Sequence, residues 1–155
     1  MAGNRALPVI TAANRAFWTG GREGHLLVQR CTVCRRWVHP PVDACVACGG
    51  ALDPAPVSGD GYVFSFTVNH HPYNATVGVP YVIALVELVE QEGLRLPTNI
   101  VGCAPAEVRI GMPVHVSFEA EGEFFVPLFA PSGGTAPGPA GPEWMTVGER
   151  RGAPS

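Results

Sequence analysis

Two CxxC pairs, Cys31/Cys34 and Cys45/Cys48, stand ten residues apart in the stretch CTVCRRWVHPPVDACVACGG. Each pair makes a tight knuckle that aims two sulfurs at one ion, and two knuckles close a tetrahedral shell of four thiolates. Gly49-Gly50 permits the backbone conformation a knuckle needs, whereas the first pair is followed by Arg35 and Arg36. Pro40-Pro41 in the spacer suits a short ribbon whose halves fold back on each other. A closed four-sulfur shell leaves no position for water or substrate, so the favoured reading is one structural Zn²⁺. Iron for electron transfer in the same ligand set is one alternative. A redox-active dithiol is another, but it normally sits in a βαβ context that this sequence lacks.

The 155 residues suffice for one domain, or for a small core with an appended module. Hydrophobic residues make up 46% and charged residues 15%, a globular balance. Gly (19) and Pro (16) are abundant, which predicts many turns and short strands. All ten basic residues are Arg, so a Schiff-base lysine and a Walker A lysine are excluded. The formal charge is −3. Four zinc-bound thiolates would take it to about −5. An acidic chain is a poor non-specific binder of nucleic acid, which is held through phosphate neutralisation. The N-terminal residues lack the apolar core of a signal peptide, and the best apolar run, 79–86, is too short to cross a bilayer. The expectation is a soluble, cytoplasmic protein, where CxxC pairs read as metal or redox sites rather than disulfides.

Four regions follow along the chain. Residues 1–30 are a leader in which Thr11 caps a short helix through Phe17 and Trp18, stopped by Gly20-Gly21. Residues 25–30 then run extended into the first cysteine. Residues 31–50 are the cysteine module, and 51–60 are a Pro/Gly/Asp-rich connector without periodicity. Residues 61–130 read as five strands. In the first, Tyr62, Phe64, Phe66 and Val68 alternate with Ser65, Thr67 and Asn69. The second, 81–90, is nearly continuous in apolar residues, as expected with both faces covered. The third spans 94–102, interrupted by Pro97. The fourth and fifth, 114–119 and 124–129, are joined by a hairpin turn at Glu121-Gly122, and 104–112 suit a short helical turn. Five short strands with such an insertion fit an OB-type barrel, with a small sandwich as the alternative. The class is mainly β: short N-terminal helices, a zinc ribbon, then a five-stranded barrel. The domain division is 1–30, 31–50, 51–130, and a Pro/Gly-rich tail at 131–155 expected to be disordered, with Glu143-Trp144-Met145 as its one apolar feature.

Outside the cysteines, few residues suggest chemistry. No nucleophile–base set, HExxH or phosphate-binding glycine loop is present. Arg35, Arg36 and Trp37 could hold a phosphate and stack an adenine, or form a solvated ribbon edge with Trp37 packed on the barrel. Phe17 and Trp18 are candidate partner contacts, because a short isolated helix is stable only when it packs on something. His70 and His71 end the first barrel strand, where such barrels often carry ligands. Cys103 reads as a buried thiol, His39 as a bystander to four thiolates, His25 and His115 as structural, and Glu87, Glu90 and Glu92 as a solvated loop.

The order of segments FWTGGREGHLLVQRC, CTVC…PP…CVACGG, PVSGDGYVFSFTVNHHP, VPYVIALVEL, NIVGC and VRIGMPVHVSFE leading to VPLFAP resembles a known family. It is that of the OB-fold, acyl-CoA-associated proteins with a rubredoxin-like zinc ribbon, domain of unknown function thirty-five. The resemblance implies N-terminal helices, a zinc ribbon holding its ion through Cys31, Cys34, Cys45 and Cys48, and an OB barrel. It also implies a non-catalytic accessory subunit of a thiolase-superfamily enzyme (thiolase, acyltransferase or aldolase) in a hetero-oligomer that handles acyl-CoA esters of lipid or steroid-like acids. Some members pair with MaoC-type hydratases. No catalytic residue carries over. Pro97 and the long tail depart from the pattern. The competing reading from the residues is a single-stranded nucleic-acid-binding module, against which the lack of Lys and the negative charge argue.

Overall fold

A computed structural model describes residues 7–72 and 78–133. The tail beyond 133, including Glu143-Trp144-Met145, lies outside the described residues. The elements in order are helix α1 (Arg15–Thr19), a 3-10 turn (Gly20–Glu23), and strands β1 (Leu27–Cys31), β2 (Trp37–Val38), β3 (Leu52–Pro56), β4 (Asp60–Asn69), β5 (Tyr81–Leu88), β6 (Arg95–Ile100), β7 (Pro113–Glu121) and β8 (Phe124–Pro131). A second 3-10 turn, Pro105–Glu107, precedes β7.

The N-terminal segment is held from both ends. Thr11 and Asn14 exchange bonds: the Thr11 N–H donates to Asn14 Oδ1 at 2.7 Å, and the Asn14 N–H donates to Thr11 Oγ1 at 3.3 Å. The turn thus begins at Thr11 as the sequence suggests, although regular helix starts only at Arg15. The α-helix stops at Thr19 with Gly20 as its C-cap, but the Gly20-Gly21 pair does not leave the chain extended. It tightens into the 3-10 turn and ends at Gly24, whose φ of +79° favours glycine. Gly21 serves close approach instead: a Cβ there would lie 2.5 Å from Phe118 Cδ1 and from Phe125 Cβ. Those rings belong to the β7–β8 hairpin, so the leader is pressed onto the barrel. A Gly21→Val chain should lose about 2 kcal/mol or more, read as a lower urea midpoint at unchanged slope.

The first sheet has the order β2-β1-β3. Strand β3 occupies the stretch expected to be a connector and pairs with β1 from Leu27↔Pro56 to Cys31↔Leu52. Its prolines hid it. Pro54 and Pro56 share one parity, so on an edge strand their missing N–H groups take no part in the ladder.

Strands β4-β5-β6-β8-β7 close into a barrel. The seam is the parallel β6–β8 pair, Ile100↔Phe129, extended by the Val101 N–H to the Phe129 carbonyl at 2.9 Å. The expected alternation in β4 is broken. The register slips between Val63 and Ser65, so Phe64 is an extra residue. Val63, Phe66 and Val68 thus face the interior, while Tyr62 turns away to meet Glu87, its partner on β5. The main core gathers Val63, Val82, Ala84, Val86, Leu96, Ile100, Val114 and Phe129 from the strands. It also takes in Phe17, Leu26, Val28 and Trp37, so leader, ribbon and barrel share one hydrophobic core.

Candidate metal centre

The two knuckles are copies offset by fourteen residues. The Arg35 N–H donates to the Cys31 carbonyl and the Cys31 N–H to the Arg36 carbonyl. In the second knuckle the Gly49 N–H donates to Cys45 and the Cys45 N–H to Gly50. The turn requires a left-handed residue after each pair. Gly49 supplies it with φ +74°, and Arg35 adopts it with φ +66°, which a side chain opposes. Arg35→Gly should therefore stabilise the chain by about 0.5–1 kcal/mol, seen as a higher melting temperature. Gly50 is needed for space: a Cβ there would sit 2.9 Å from Val33 Cγ2 and 3.0 Å from Cys31 Sγ.

All four sulfurs lie within 4.8 Å of one another. Cys31 and Cys48 are 3.4 Å apart, and Cys34 and Cys45 are 3.7 Å apart. A tetrahedral shell with sulfur about 2.3 Å from the ion needs sulfur–sulfur distances of about 3.8 Å. The donor set is thus the right size and softness for a thiolate-bound ion. Cys31 and Cys45 are buried, Cys34 and Cys48 exposed. The N–H groups of Cys34 and Val33 point at Cys31 Sγ, both at 3.4 Å. Against the opposing effect of burial, these N–H groups and the neighbouring sulfurs draw the Cys31 thiol down to about 6. The Cys48 and Ala47 N–H groups lower Cys45 likewise. At Cys48 the Gly50 N–H also acts downward, but the sulfurs of Cys31, Cys34 and Cys45 together with burial outweigh it and push that thiol up to about 11. Electronegative sulfurs packed this closely resist full ionisation until a cation joins them.

Two glutamines clamp the ribbon. The Gln91 side chain, from the β5–β6 loop, accepts the Trp37 N–H at 2.9 Å and donates to the Trp37 carbonyl at 3.0 Å. Gln29 does the same for Val42, at 2.8 and 2.9 Å. Each side chain imitates a neighbouring strand. No local pattern in the sequence announces either, because a glutamine becomes a clamp only through tertiary placement.

The other candidate residues separate. Trp37 is buried in the shared core, with the Arg30 guanidinium 4.7 Å above its ring and Arg30 Nε donating to the Arg35 carbonyl at 2.9 Å. It is not offered for stacking. Phe17 is likewise buried, edge-on to the half-buried Trp18 at 4.9 Å and 86°. Arg35 and Arg36 are exposed on the knuckle beside Val33, and Val46 protrudes from the second knuckle. His70 and His71 are exposed after β4. Cys103 is half-buried, and burial followed by the charge of Glu107 raises its thiol.

His39 stands outside the sulfur cluster. Its ring packs 4.9 Å from Phe17, its Nδ1 is buried without a partner, and burial draws its pKa from 6.5 down to about 4. The unfolded chain takes up a proton near 6.5 where the native imidazole stays neutral, so stability is full above that pH and falls below it. From about pH 7.5 to about pH 5.5 the loss should be about 1.4 kcal/mol. His39→Leu should abolish that part of the slope in urea titrations.

Two features read as bland in the sequence are structured. Glu87 is buried within β5 rather than solvated in a loop. His115 Nδ1 lies 2.7 Å from Asp60 Oδ1, beside a shallow 470 Å³ groove lined also by Ser117, Ala130 and Ser132.

Among known proteins, two family models cover most of the described chain: a ChsH2 rubredoxin-like zinc ribbon domain over residues 18–53 and a ChsH2 C-terminal OB-fold domain over 55–119. The chain is 41% identical over 130 residues to a probable enoyl-CoA hydratase alpha subunit of Thermomonospora curvata, covering 83% of this chain and 40% of that one. It is 41% identical over 103 residues to the 3-oxo-4,17-pregnadiene-20-carboxyl-CoA hydratase alpha subunit of Mycobacterium tuberculosis, covering 66% and 32%. This chain thus spans less than half the length of either hydratase subunit. A DUF35 domain-containing scaffold protein of Methanocaldococcus jannaschii is 34% identical over 105 residues, 65% of this chain and 73% of that one. Among solved structures, the Ltp2-ChsH2(DUF35) aldolase matches with 41% identity and a TM-score of 0.71, over 81% of this chain and 99% of that one. A DUF35 protein of unknown function from Sulfolobus solfataricus, 21% identical with a TM-score of 0.53, shares the fold. Zinc ribbon, OB barrel and these relatives agree: the chain belongs to the DUF35 family, in the form found in ChsH2.

Proposed function

We propose that this chain is a non-catalytic accessory subunit of a thiolase-superfamily enzyme acting on acyl-CoA esters, with steroid side chains as the leading substrate class. The observation that carries this reading is the match to the Ltp2-ChsH2(DUF35) aldolase, which spans nearly all of that DUF35 chain at 41% identity. Names among the relatives point the same way: two are alpha subunits of CoA-ester hydratases and one is a scaffold protein. A hydratase partner of the MaoC type is the second candidate association. The cytoplasm is the fitting compartment for four reduced cysteines, and among the described residues no helix is long and apolar enough to cross a membrane.

In this role Cys31, Cys34, Cys45 and Cys48 hold one structural zinc. Bound there, the ion supplies no reactive position, because the four sulfurs fill its shell. The chain's own work is to fix the ribbon: β1 and β3 carry the knuckles, and Gln29 and Gln91 tie the spacer and β2. Exposed Arg35 and Arg36 are the candidate contacts for a CoA phosphate, and His70 and His71 for the partner or its ligand. The proposed domain division is a leader (1–30), the ribbon (31–50), the barrel (51–130) and the tail (131–155).

The test is co-expression with the thiolase-superfamily protein encoded nearest to it. One complex at micromolar concentration in size exclusion, with one zinc per DUF35 chain and no visible absorbance from iron, is expected. Separate elution would count against the reading.

A further inference from the structure

OB barrels take their ligands on the outer face of the second and third strands, here β5 and β6. On β5, buried Val82, Ala84 and Val86 alternate with outward Tyr81, Ile83 and Leu85. The sequence suggested a strand covered on both faces. Among the described residues it is covered on one: Ile83 is 41% and Leu85 37% exposed. The leader packs on the β7–β8 hairpin and does not cover it.

The register fixes the neighbours. Ile83 lies between Thr67 and Asn99, and Leu85 between Ser65 and the exposed Pro97. These two rows carry no charge. The nearest ion pair, Arg95 Nε to Glu87 Oε1 at 2.9 Å, closes one end of the face, with the Arg95 guanidinium 3.6 Å from the Phe64 ring. Single-stranded nucleic acid needs a cationic groove and free stacking rings. This face offers neither, since Arg95 is engaged by Glu87 and Phe64, and the Tyr81 hydroxyl accepts a bond from Asn69. A protein seated here must itself be uncharged, because a charge would be desolvated without a counter-charge. Ile83, Leu85 and Pro97 together present a few hundred Å² at most, against about 800 Å² per side for a stable interface. Self-pairing through this patch alone would be too small, whereas a partner subunit can surround it with a polar rim.

We infer that the outer face of β5 and β6, centred on Ile83, Leu85 and Pro97, is the core of the surface that docks on an uncharged apolar patch of the thiolase-superfamily partner. This rests on the accessory-subunit reading above. The experiment is titration of that co-encoded partner with the wild-type chain and with Ile83→Asp/Leu85→Asp. A weakening of at least a hundredfold is expected, while Ser117→Asp on the β7 wall leaves affinity unchanged. Circular dichroism and melting check that each variant folds, and Pro97→Glu replaces the double variant if it does not. Wild-type affinity in the folded face variant would overturn the inference and leave the accessory role standing. Absence of any wild-type complex would sink both. A wild-type homodimer abolished by the double substitution would overturn the inference by assigning the face to a second copy.

Discussion

Cys45→Ala is expected to purify without stoichiometric zinc and to lose the ribbon sheet rather than a chemical step. Cys45 is buried in a small cluster with Cys31 and Val38, against Val42 and Leu52. That cluster is too small to hold β1, β2 and β3 together. The proposed zinc would supply the remainder, since structural zinc sites contribute on the order of 10 kcal/mol or more to folding. Hydrogen exchange should show residues 27–56 losing protection while β7 and β8 keep most of theirs. The effect cannot stop at the ribbon, because Leu26, Val28 and Trp37 also fill the main core. The barrel's melting temperature should fall by about 10 °C or more. A metal-free chain with native protection in β1 and β3 would contradict the structural role.

Glu87→Ala is the second large effect. The Glu87 carboxylate is 3% exposed and accepts from the Tyr62 hydroxyl, the Gly93 N–H at 3.0 Å and Arg95 Nε at 2.9 Å. Its removal leaves a buried hydroxyl and an N–H without acceptors and opens a void in the barrel wall. A loss of about 3 kcal/mol is expected. Arg95 is partly exposed and recovers its solvation, so the main cost falls on Tyr62 and Gly93. In a double-mutant cycle, Tyr62→Phe should recover part of the loss, because it removes the stranded hydroxyl. Independent, additive effects in urea titrations would contradict this.

The legible parts of this molecule are those set by local pattern. Two CxxC pairs at close spacing specify the four-sulfur cluster. The apolar strands and the Glu121-Gly122 turn, where Gly122 has φ +63°, specify the barrel hairpins. What escaped the sequence is set by tertiary placement. Strand β3 escaped because proline argues against strand until its edge position is known. The Phe64 bulge escaped because an extra residue leaves composition unchanged while it reverses every face before it. Glu87 read as a loop residue because nothing local shows the Tyr62 and Arg95 that surround it. Trp37 read either as a stacking ring or as packed on the barrel, and Phe17 as a partner contact; the fold buries both in its own core. The candidate contact surface thereby shifts away from them, to exposed Arg35 and Arg36 on the ribbon and to the β5–β6 face.

In the proposed role this chain assists a partner's chemistry and performs none itself. The most direct test of that role is turnover of a steroid side-chain acyl-CoA ester by three samples: the co-encoded thiolase-superfamily protein, this chain, and the two together. Full activity is expected only in the pair, with none from this chain alone and a weak or unstable partner by itself. Turnover by this chain alone, or a partner equally active and equally stable without it, would rule out the accessory role.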